Sequence, residues 1–273
     1  MLLLILSSCS APTSDSGPPE SDSDTAGETD SDTDTYGDGD GPFGVIEETV
    51  EVAGQEVTLY TPDAPGALPG VVWSHGFARG PQFHVTGARR AASWGFLVAT
   101  PVLPEFSDHA ANGAFIADSM VPAVDQGAGV MLVGHSAGGL ASLLAATQAP
   151  VDAYVGLDPV DSSELGLEAA ADVLNALVLH GEPTACNSDA NSTAWDIPLA
   201  WHVTVIGASH CDFESDTETG CTLVCGDSDS ARQALIQEYA VAWLLNTVGR
   251  GAEAWLAGGS EAEADRDGGR ISW

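Results

Sequence analysis

The chain contains no lysine. Its only permanent cations are seven arginines, set against 40 acidic residues, and the formal net charge is −33. A polyanion of this kind repels nucleic acid and anionic membrane surfaces, so neither is expected as a direct partner. Long apolar runs are also missing. The first candidate, Leu2–Leu6, is too short to cross a bilayer. None of the five cysteines forms a C-x-x-C pair, which argues against a zinc site, and no internal repeat marks a solenoid. No metal or cofactor is expected. What remains is an ordinary hydrophobic share of 44% over 273 residues, enough for one α/β domain with a sizeable core.

The N-terminus divides into two short segments ahead of that domain. Residues 1–9 end in Leu6-Ser7-Ser8-Cys9, which resembles the lipobox of a bacterial lipoprotein signal, without a basic n-region. The resemblance implies cleavage before Cys9, a lipid on its thiol, and a place in the cell envelope or outside the cell. Membrane contact would then come only through that anchor. Residues 10–42 carry ten acidic side chains, no base and almost no apolar residue. Such a segment cannot bury enough surface to offset the entropy of ordering, and it reads as a disordered acidic linker. Asp30–Asp34 lacks the glycine and distal glutamate of a calcium loop. The third segment, residues 43–273, is the folded domain.

Within it, apolar and β-branched runs alternate with helical patterns. Strands are expected at Val45–Val50 and Gln55–Tyr60, as a hairpin about Ala53-Gly54, and at Gly70–Ser74, Phe96–Thr100, Val130–Val133, Ala153–Leu157, Ala176–Leu179 and Trp201–Ile206. Helices are expected over Gln82–Trp94, most of His109–Val124, the stretch after Gly138, and Asp229–Leu245. The alternation predicts an α/β fold: a mainly parallel central sheet with helices on both faces. The tail from Gly251 has no clear place in that scheme.

The densest functional signal is Gly134-His135-Ser136-Ala137-Gly138, a G-x-S-x-G motif between an apolar strand and an uncharged helix. That context defines a nucleophile elbow, with Ser136 at the tip of a sharp turn. A serine hydroxyl needs a base. Of seven histidines, His210 alone follows the last long strand and precedes the final helix, where the base of such a fold belongs. The base needs a carboxylate lying between serine and histidine in chain order. Asp158, at a strand end before Pro159, is preferred, with Glu182 and then Asp161 as alternatives. Oxyanion donors are expected from the backbone N–H groups of Ala137 and Phe77. His75 and Phe77 would line the substrate pocket. Cys186, Cys211, Cys221 and Cys225 form an even set in an exported chain and are expected as disulfides.

These residues together resemble the α/β-hydrolase superfamily over about residues 43–248. The Gly-His-Ser-x-Gly-Gly elbow is similar to those of chlorophyllase-like hydrolases and bacterial cutinase-like polyester hydrolases. Asp158-Pro159-Val160, His75-Gly76-Phe77, and Asp108-His109 with Asn112 resemble the chlorophyllase group, which implies Asp158 as the acid. The polyester hydrolases carry an aspartate one strand later, where this chain has Glu182. Their disulfide between acid loop and histidine loop implies Cys186–Cys211 here, with Cys221–Cys225 as the second bridge. The expected activity is hydrolysis of small-molecule or polymeric carboxylic esters through an acyl-enzyme, with no cofactor. The alternatives are amide or thioester hydrolysis on the same triad, or a catalytically silent binding protein with the hydrolase fold.

Overall fold

The computed structural model describes residues 36–37 and 39–273, all within one compact unit. The signal segment with Cys9, and the linker as far as residue 35, lie outside the described residues. Tyr36, inside the stretch read as linker, is buried. Its ring packs edge-on against Trp94 and Trp255, and its hydroxyl donates to the Glu238 carbonyl at 2.7 Å.

Nine strands form one sheet in the order β1-β2-β4-β3-β5-β6-β7-β8-β9. β1 (Val45–Val52) and β2 (Gln55–Pro62) form the expected antiparallel hairpin, turned by Ala53 and Gly54 at positive φ. β2 also pairs antiparallel with β4 (Leu97–Pro101). The centre is parallel: β3 (Gly70–Ser74), β4, β5 (Val130–His135), β6 (Ala153–Leu157), β7 (Ala176–His180) and β8 (Trp201–Val205). β3 to β7 are buried along their whole length, as strands covered on both faces must be.

Side chains alternate between two cores. Val71, Trp73, Met131, Val133 and Val155 face α1 (Val85–Ser93) on one side. Val72, Ala99 and Leu132 face the opposite side, against the helical run beginning at α2 (His109–Phe115). That run continues through a π-helical turn, Ile116–Met120, into α3 (Val121–Val124), so the expected helical stretch is three contiguous pieces. α4 (Ser136–Ala146) and α5 (Leu165–Ala169) cover the same side further along the sheet. α6 (Thr219–Cys225) lies after β8, and α7 (Ser230–Thr247) joins α1 on the first face. The architecture is α/β and consistent with the α/β-hydrolase fold.

Two sequence expectations change. The helix read from Gln82 begins at Val85, because Pro81–Phe83 winds as a separate 3-10 turn and His84 leaves helical geometry. The unplaced tail forms α8 (Ser260–Asp267) and β9 (Ile271–Ser272), which pairs antiparallel with β8. Asp265 anchors this return by accepting from Tyr239 at 2.8 Å and pairing with Arg270.

Candidate active site

Ser136 stands where β5 turns into α4, with φ at 54°. The turn is possible because two glycines remove clashes. A Cβ on Gly134 would lie 2.3 Å from the Gly138 carbonyl oxygen, and one on Gly138 would lie 2.2 Å from that of His75. The backbone thus folds on itself and against the loop after β3. Ala137 lies in the first turn of α4, where N–H groups have no partner within the helix, and no hydrogen bond occupies the N–H of Phe77 among the described residues. Unpaired amides at a helix N-terminus favour a developing anion.

His210 opens a 3-10 turn after β8. Its Nδ1 lies 2.6 Å from Asp158 Oδ2. Asp158 directly follows β6 with φ at 43° and is fully buried. Three other contacts hold its carboxylate. Gly181 N–H donates to Oδ1 at 2.9 Å, and Asn187 Nδ2 donates to Oδ1 at 3.3 Å and Oδ2 at 3.1 Å. With Nδ1–H given to Asp158, His210 Nε2 is left with its lone pair. His210 and Ser136 border the same cavity of about 350 Å³.

The alternative carboxylates are committed elsewhere. Glu182 is exposed and accepts from Gly207 N–H at 3.0 Å. Asp161 accepts from Gly166 N–H, Leu167 N–H and Trp195 Nε1–H. Of the candidates, Asp158 alone reaches the His210 ring.

His75 is a strut rather than a free base. Its Nδ1 donates to the Gly76 carbonyl at 2.9 Å, and its Nε2 accepts from Leu103 N–H at 3.1 Å. Burial lowers its pKa, opposed by the Gly76 bond. His135 donates from Nε2 to the His210 carbonyl at 3.2 Å. Burial, with His210 and His84 adding repulsion, pushes His135 well below the usual histidine range. His84, behind it, is pushed by burial to about 3. Both rings are therefore neutral near pH 7 and act as packing and support.

The disulfides differ from the implied pairing. Cys186 bridges Cys225, and Cys211 bridges Cys221, with Cα separations of 5.6 and 5.9 Å. The reason is helical. Cys221 and Cys225 are four residues apart on α6, where Cβ atoms stand about 5–6 Å apart, beyond the roughly 3.5–4.5 Å a disulfide requires. Each cysteine on α6 instead reaches a different loop, and Gly220, Val224 and both bridges wall the cavity.

Three features had no sequence signal strong enough to single them out. Asn187 clamps Asp158 and also accepts from Thr184 and Ala190 N–H. Glu214, fully buried, grips Arg79 in two contacts of 2.5 and 2.8 Å at the cavity wall. Phe106 packs on Phe77 with ring centroids 4.3 Å apart. Asn187, next to Cys186 in a predicted disulfide loop, was the most accessible of them.

No family model matches the chain, and no curated protein matches it at significant similarity.

Proposed function

We propose that this chain is a serine hydrolase of the α/β-hydrolase superfamily, acting on carboxylic esters. The observation that carries the reading is the 2.6 Å contact from His210 Nδ1 to a fully buried Asp158, with His210 and Ser136 on one cavity. Asp158 holds the imidazole in the tautomer whose Nε2 can accept a proton, and stabilises the imidazolium once formed. His210 takes the proton of Ser136 as Oγ attacks the ester carbonyl. The oxygen that becomes negative is met by the amides of Ala137 and Phe77. Collapse breaks the bond to the alcohol, which leaves with the proton from His210. A water, deprotonated by His210, then attacks the acyl-enzyme and releases the acid. The substrate is a small-molecule or polymeric ester.

Two disulfides fit an oxidising compartment, which supports an exported chain. The test of the chemistry is direct. A fluorophosphonate probe is expected to label Ser136 in the wild type and not in Ser136→Ala. That variant should lose about 10⁴-fold or more in p-nitrophenyl butanoate turnover. Unlabelled wild-type protein, or unchanged turnover in the variant, would reject the proposal.

A further inference from the structure

Two cavities meet at the loop after β3. The larger, about 350 Å³, borders Ser136 and His210. The smaller, about 130 Å³, borders Ala137, Leu103 and Phe106. Residues 76–79 are common to both linings, so the Phe77 loop is their dividing wall.

This division has a chemical meaning if the site works as proposed above, and the inference rests on that reading. The reacting carbon carries four groups at the tetrahedral stage: Ser136 Oγ, the oxyanion, the leaving oxygen and the acyl chain. The oxyanion faces the amides of Ala137 and Phe77. The leaving oxygen must face His210, which protonates it as the carbon–oxygen bond breaks. The alcohol therefore occupies the chamber that His210 borders. The acyl chain takes the remaining direction, away from His210 and past Ala137. We infer that the smaller cavity is the acyl subsite and the larger one the alcohol subsite, so that the preferred substrates are esters of a short carboxylic acid with a bulky, uncharged alcohol.

The volumes set the scale. At about 30 Å³ for each water-sized group, the acyl subsite holds roughly four such groups and the alcohol subsite about a dozen. The smaller chamber is also lined by Arg79, Glu105 and His109, and part of its polar wall is engaged with itself. His75 is bonded at both ring nitrogens, and Asn112 pairs with both backbone groups of Glu105. Its apolar contacts for an acyl chain are Val102, Leu103, Phe77 and Phe106. Arg79, which borders both chambers, is closed by Glu214 and Glu218. It has little charge left for an anionic alcohol, whereas Val224 and the Cys186–Cys225 bridge offer apolar contact.

The test uses the purified full chain and two ester series. The first varies the acid: p-nitrophenyl acetate, butanoate and octanoate. The second varies the alcohol at constant acid: ethyl, benzyl and naphthylmethyl butanoate. kcat/KM is expected to fall at least about tenfold from butanoate to octanoate, because surplus methylenes cannot enter the smaller chamber. It is expected to rise from ethyl to naphthylmethyl. Phe106→Ala, which removes an outer wall of the acyl subsite, should recover much of the octanoate rate. Val224→Trp should slow the naphthylmethyl ester more than the ethyl ester. If octanoate is cleaved as well as butanoate, or if the larger alcohol gives no gain, the subsite assignment fails while labelled Ser136 leaves the hydrolase reading standing. If Ser136 resists the fluorophosphonate, the hydrolase reading itself fails.

Discussion

Asp158 and Ser136 share a costly backbone state. Both have positive φ, at 43° and 54°, a region worth about 1–3 kcal/mol of strain for residues with a Cβ. Each is held there by surrounding structure. Asp158 N–H donates to the Leu179 carbonyl at 2.7 Å, and its carboxylate meets Gly181, Asn187 and His210. The Ser136 carbonyl accepts from Val160 N–H at 3.2 Å. The environments of the two carboxylates differ: Asp158 is buried with its donors, and Glu182 is exposed on a turn. Asp158→Asn should therefore reduce kcat by about 10⁴-fold, since the amide would favour the wrong imidazole tautomer. Glu182→Gln should cost less than about tenfold. Steady-state ester kinetics on the two variants decide the matter, and comparable losses would remove Asp158 from its assigned place. Sequence order and strand ends put Asp158 first among these carboxylates. Which of them lies at the His210 ring depends on which way each strand-end turn points, and that is not written in either turn's sequence.

At the scale of elements, the least legible piece was α6. Its sequence is short, carries exposed Leu223 and Val224, and follows an acidic loop. It is held by covalent bonds rather than by a large apolar face. One bridge runs to the loop of Asn187, which positions Asp158, and the other to Cys211, beside His210. The same short helix thus ties the loop of Asn187, the turn of His210 and the cavity wall together. The bridges close chain separations of 39 and 10 residues, which corresponds to about 4 and 3 kcal/mol of lost unfolded-state entropy. The Cys186→Ser, Cys225→Ser double variant should melt roughly 10 °C lower than the wild type and cleave esters more slowly. Thermal unfolding followed by circular dichroism, with a rate assay at 25 °C, checks both. A double variant with an unchanged melting temperature would mean that α6 docks without its bridge.

At the scale of the molecule, charge and burial set the pH response. All seven arginines are engaged internally: six pair with carboxylates, and Arg250 donates to the carbonyls of Trp94 and Gly95. With all seven counted, the formal net charge is still −33. Buried histidines add a second dependence. Burial depresses His84 to about 3 and His180 to about 4, with neighbouring histidines adding repulsion. Unfolded, each would take a proton near pH 6.5. The unfolded state therefore binds more protons between those values, and this contribution to stability, full above about pH 6.5, is lost as pH falls towards the folded values. His84→Phe removes one such group. Its urea midpoint relative to wild type should improve steadily from pH 7 to pH 4. A constant difference would show that His84 titrates alike in both states.

The sequence alone determined the strand and helix alternation, the elbow at Ser136 and the placing of His210 after the last long strand. These are local facts: a hydrophobic period, a glycine-bounded turn, an order along the chain. Only the tertiary structure decided that Asp158 rather than Glu182 meets His210, that Asn187 holds Asp158, that α6 is tied to two loops, and that Ile271–Ser272 closes the sheet. Those depend on side chains far apart in sequence meeting at distances of a few ångströms, which no local pattern encodes. The two-residue β9 is the clearest case. It has too few residues to show a period, and it becomes a strand because β8 offers it an open edge.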